Sequence, residues 1–135
     1  MPAGPAPLGL MYFAAVKLAG YTAAAVLLRR RYPESTAAPW MVGGVRTLIG
    51  LGAGFGAVFV ATRLGILRSE LGFYLLLAPL RMCEWLLLLR LFFNRPHWKW
   101  GQSLMTAGVG TVWSYALDLP ALLAVFALPG GAWIC

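Results

Sequence analysis

"LGFYLLLAPLRMCEWLLLLRLFF", residues 71–93, decides the fold, because only Arg81, Glu84 and Arg90 interrupt its apolar run. An apolar stretch of 18 or more residues reads as a membrane span, since about 20 helical residues cross the ~30 Å hydrocarbon core. Segments 8–28, 40–62 and 103–128 pass the same test, and the connections between them are short. The chain of 135 residues is 61% hydrophobic and 11% charged, where soluble domains carry about 25% charged residues. The expectation is an all-α integral membrane protein. One compact bundle of four transmembrane helices fills residues 1–135, with both termini on the outer side.

Charge placement sets that orientation. The net charge is +7, but the basic residues do not cluster as a nucleic-acid footprint would. Arg29, Arg30 and Arg31 follow the first span, and Arg90, Arg95 and Lys99 follow the third. The loop between the second and third spans carries only Arg63 and Arg68, and neither terminal segment has a charged side chain. The positive-inside rule makes the first and third loops cytoplasmic. Arg29, Arg30, Arg31, Arg95 and Lys99 then face anionic lipid, and no nucleic-acid partner is expected. The cytoplasmic membrane of a bacterium is the expected location. The first segment has no basic stretch ahead of it and is interrupted by Lys17, so it reads as a retained helix rather than a signal peptide. Tyr32, Trp40, Trp98, Trp100 and Trp133 fall near span ends, where interfacial anchors belong.

The sequence "GLGAGFG", residues 50–56, resembles a dinucleotide fingerprint only in its spacing. That motif needs a preceding strand and a soluble βαβ unit. Inside a span, Gly50 with Gly54 and Gly52 with Gly56 form small-xxx-small pairs that let two helices approach closely. The partner helix can belong to the same chain or to a second copy. Assembly as a homo-oligomer, or as a subunit of a larger membrane complex, is therefore expected.

Five charges lie well inside the spans: Lys17, Arg46, Arg81, Glu84 and Asp118. Each costs roughly 2.5–3.5 kcal/mol at mid-helix on insertion scales, so each needs a partner or a purpose. At 1.5 Å per residue, Lys17, Arg81 and Asp118 lie ~14–15 Å from the outer ends of their spans. Arg46 and Glu84 fall about one turn deeper, toward the cytoplasmic side. Arg81 and Glu84 are three residues apart and share a helix face. Pro79 and Pro120 free the carbonyls of Leu75 and Ala116 close to Arg81 and Asp118. With Tyr21 one turn after Lys17 and Ser114 one turn before Asp118, these groups line a polar cavity open to the outer side. Interrupted helices with midplane charges are how many transporters build substrate sites.

Three cations face two carboxylates in this set, which leaves one positive charge for an anionic solute or lipid headgroup. The expected site is Lys17, Arg81, Asp118, Tyr21 and Ser114, with Arg46 and Glu84 as a supporting ion pair, in a transporter-like or ligand-binding protein. The alternative is a non-catalytic accessory subunit whose charges pair structurally. No catalytic residue is assigned: His97 sits in a loop away from any nucleophile, and Glu84 and Asp118 are each flanked by arginine. Two separated cysteines, Cys83 deep in the third span and Cys135 at the end, with one histidine make no metal site. No metal or cofactor is expected.

Overall fold

In a computed structural model of the chain, every described element is an α-helix. The structure describes the backbone of residues 7–64, 70–93 and 99–127, and the side chains of 11–63, 77–93 and 99–120. Arg68, Arg95, His97, Trp98, Trp133 and Cys135 lie outside the described residues.

The four helices are α1 (Pro7–Arg31), α2 (Pro39–Leu64), α3 (Glu70–Phe92) and α4 (Trp100–Ala127). Proline opens α1 and α2, where its fixed φ suits the first helical turn and its missing N–H goes unneeded. Helix α1 runs through Arg29, Arg30 and Arg31, three residues past the apolar segment, because arginine is a good helix former and a cation suits a helix C-terminus. Helices α3 and α4 continue through Pro79 and Pro120.

Each helix packs against its neighbours in chain order, and α4 returns to α1. Contacts at one end establish the directions. Tyr32, just past α1, stacks near Phe93, just past α3, with ring centroids 5.6 Å apart. Its hydroxyl also lies 3.4 Å from Thr106 in the first turns of α4. Ser35, in the loop from α1 to α2, donates to the carbonyl of Phe92 at 2.8 Å, satisfying one of the carbonyls a helix end leaves bare. The ends of α1 and α3 and the starts of α2 and α4 therefore share one end of an up-down-up-down bundle. Tyr32 is buried in that end rather than standing at a surface, whereas Trp40 and Trp100 are exposed.

No helix divides into one apolar and one polar face. Helices apolar all round belong in large cores or in membranes. Among the described residues, two are long and apolar enough to cross a membrane: Met11–Arg31 and Pro39–Arg63, 21 and 25 residues with mean hydropathy 1.5 and 1.6. Only 17% of either stretch is buried inside the bundle, unlike the core helix of a soluble protein. Leu48, Phe55 and Phe59 of α2, and Val109, Val112 and Leu119 of α4, point outward.

The inward residues are unequal in size. Helix α4 turns Ser103, Ala107, Gly110 and Ser114 inward, all small and all buried. That strip makes room for bulk from the other helices: Tyr21 of α1, Arg46 of α2, and Trp85, Leu88 and Leu89 of α3. The close approaches occur at glycines outside the 50–56 stretch. A Cβ on Gly110 would lie 2.4 Å from the Trp85 ring, one on Gly43 would lie 2.8 Å from the backbone nitrogen of Thr22, and one on Gly20 would strike Leu117. By contrast, among the described residues a Cβ on Gly52, Gly54 or Gly56 would meet nothing within 4 Å, and one on Gly50 only the Arg46 guanidinium. Among the described residues, the close approaches thus lie outside the glycine-rich stretch.

Candidate functional site

The five intrahelical charges meet in two groups. In the first, Asp118 of α4 is shared: its Oδ1 pairs with Lys17 of α1, and its Oδ2 lies 2.6 Å from Arg81 Nη2 of α3. Asp118 and Arg81 keep a little exposure, with side chains 21% and 15% accessible. The Arg81 guanidinium lies 4.2 Å from the centre of the Tyr115 ring, and Lys17 lies near the rings of Phe13 and Tyr21. These aromatic faces supply the negative side of their quadrupoles to the cations. Arg81 Nη1 is buried and has no hydrogen-bond partner.

In the second group, Arg46 of α2 and Glu84 of α3 approach to 2.7 Å. Arg46 is only 1% exposed. Its Nη1 lies beside the carboxylate yet makes no aligned hydrogen bond, and its Nε has none either. This contact is an ion pair by distance without the fork geometry that makes arginine–carboxylate pairs strong. Arg46 is instead held by aromatic faces, 4.8 Å from the Tyr21 ring centre and 5.2 Å from that of Trp85. Those two rings meet edge to face, with centroids 5.9 Å apart.

Ser114 is the hub of this second group. It accepts from Trp85 Nε1 at 3.0 Å and from Tyr21 Oη and Arg46 Nη2 at 3.3 Å each, and it donates to the Gly110 carbonyl at 3.0 Å. A hydroxyl oxygen has two lone pairs, so three donors compete for two acceptor positions. The shorter Trp85 bond holds one of them. Tyr21 keeps its ring near Lys17 as expected, while its hydroxyl and Ser114 bind each other and both meet Arg46. Each residue lies one helical turn from its charged neighbour, and that turn carries its hydroxyl to the other level.

Trp85 and Tyr115 were missed by sequence reasoning. Each lies one residue from a residue already singled out, Glu84 and Ser114, but adjacency on a helix turns a side chain by about 100° and carries no contact information. Cys83 lies mid-way along α3 and faces away from the bundle. The polar groups and the groove adjoin. A cavity of about 230 Å³ opens between α1 and α4, toward Arg31 and away from Asp118, and it meets the polar groups at Trp85 and Gly110.

No known protein family, curated protein or solved structure matches the chain. A functional reading rests on the geometry.

Proposed function

We propose that the chain is an integral membrane protein of four spans, of the bacterial cytoplasmic membrane, whose interior binds an anionic group at Lys17, Arg81 and Asp118. The group is a small solute moved in transporter fashion or a lipid headgroup. Two helices of membrane-crossing length support the membrane reading, as do the large apolar side chains they turn outward. Contiguous apolar surface on this scale is rare in soluble monomers. The α1–α2 loop stands at the end that gathers Arg29, Arg30, Arg31 and Arg90, so this end faces the cytoplasm and anionic lipid.

One observation carries the site: among the described residues a single carboxylate, Asp118, serves two cations, and Arg81 keeps a buried N–H group with no acceptor. A buried cation without its counter-charge is costly. An incoming anion would supply both the charge and the acceptor. The second group supports a different reading, since the Arg46 charge is matched one to one by Glu84 inside the chain and Ser114 takes one of its N–H groups. Such an internally charge-balanced set suits an accessory subunit of a larger complex, its charges holding helix register. Outward-facing Phe55 and Phe59, beside open Gly52 and Gly56, suit a second copy or a partner helix.

Lys17→Met separates the two readings, because it leaves Arg81 and Asp118 as a one-to-one pair. The purified protein in detergent is heated with phosphate, acetate or short-chain phosphatidylglycerol. A ligand that binds only the folded state raises the melting temperature with concentration. The expected result is a rise for the parent protein that disappears in a well-folded Lys17→Met variant. No shift with any anion, or an undiminished shift in the variant, leaves the structural reading.

A further inference from the structure

The groove between α1 and α4 has a polarity of its own. Ala24, Leu27 and Arg31 line it from α1, and Met105, Val109 and Trp113 line it from α4. These spacings keep each set on one helix face. Trp113 closes one end by donating to the Gly20 carbonyl at 3.0 Å. Arg31 stands at the other end, near the Tyr32–Thr106 contact. Along α1 the distance from Ala24 to Arg31 is about 10 Å. Leu27, Met105 and Val109 are more than half exposed, so the groove opens sideways along its length. The floor is Trp85.

We propose that this groove seats one acyl chain of an anionic phospholipid, with the lipid phosphate held by Arg31. This assignment rests on the membrane reading but not on the anion site at Asp118. The volume, about 230 Å³, is below the ~300 Å³ at which small-molecule pockets begin. It suits a stretch of hydrocarbon chain better than a compact solute. Every lining side chain beyond Arg31 and Thr106 is apolar or presents a ring, as a chain of methylenes requires. The one cation stands at one end, as a headgroup requires, with Arg29 and Arg30 beside it. Lateral opening lets the lipid enter from the bilayer without leaving it. The floor then links the lipid to the interior, because Trp85 carries the hydrogen bond to Ser114.

The test counts bound lipid. The full chain, delipidated in a nonionic detergent, is titrated with phosphatidylglycerol or phosphatidylcholine and weighed by native mass spectrometry. One phosphatidylglycerol should be retained per chain, at least about tenfold more tightly than phosphatidylcholine. Ala24→Phe fills the groove and should abolish retention. Arg31→Gln should remove the headgroup preference, while Val60→Phe on the exposed face of α2 should change nothing. Equal retention in Ala24→Phe and Val60→Phe overturns the proposal, as does loss of a dimer with lipid retained in Ala24→Phe. If Ala24→Phe fails to fold by circular dichroism, Arg31→Gln decides, and an unchanged headgroup preference overturns the proposal. Extraction of the chain from membranes by alkaline carbonate would overturn the membrane reading beneath it. A chain that resists extraction while Ala24→Phe binds lipid normally overturns the groove alone.

Discussion

Trp85 of α3 donates its indole N–H to Ser114 of α4 at 3.0 Å, and its ring lies flush on Gly110 of the same helix. The two contacts depend on each other. The ring reaches Ser114 only because Gly110, one turn earlier, has no side chain. Trp85 thereby joins α3 to α4 and gives the Arg46 guanidinium an aromatic wall.

Ser114→Ala removes the acceptor for Trp85 and the acceptor shared by Tyr21 and Arg46. Leaving buried donors unsatisfied costs about 1–3 kcal/mol. The loss should be read by reversible unfolding in mixed micelles. Adding Trp85→Phe, which deletes one of the donors, should make the double variant less damaged than the sum of the two singles. Strict additivity would show that the hydrogen bond carries no coupling energy.

The Arg46–Glu84 pair is nearly closed to solvent. Glu84→Gln strands a buried cation and should destabilise by about 3–5 kcal/mol. Arg46→Met together with Glu84→Leu removes both charges and should recover most of that loss, since well-packed apolar replacements of buried pairs are often neutral. The same unfolding assay checks it. A double variant no better than Glu84→Gln would mean that the pair does more than neutralise itself.

The glycines divide into two classes. Gly110→Ala drives a methyl group into the Trp85 ring, and such overpacking costs about 1–3 kcal/mol. Gly52→Ala adds a methyl into open space and removes a helix-weakening glycine, so it should be neutral or stabilising by up to ~1 kcal/mol. If Gly52→Leu alters the oligomer seen by size exclusion with light scattering, the stretch packs between copies, in keeping with the open space beside it among the described residues.

Thr36 is exposed in the loop between α1 and α2. Thr36→Cys, with Cys83 and Cys135 replaced, should resist a membrane-impermeant thiol reagent in intact cells and react after lysis. Labelling of intact cells would reverse the orientation drawn from the arginines.

Level along the axis was legible in the sequence; direction around it was not. A helix rises 1.5 Å per residue whatever surrounds it, so counting from span ends could rank Lys17, Arg81 and Asp118 against Arg46 and Glu84. The apolar runs likewise marked four helices and their limits to within three residues. The inward face of an ordinary helix is read from the separation of its apolar and polar sides, and these helices have no such separation. Hence the sequence could not say that Ser114 would serve Arg46 and Trp85, that Cys83 would face outward, or that Gly20, Gly43 and Gly110 would be the close approaches instead of Gly50–Gly56. Composition and spacing determined that the chain is four apolar helices with charges at two levels. Tertiary structure alone decided which side chains share each level, because only packing against the small residues of α4 turns Arg46, Tyr21 and Trp85 toward one another.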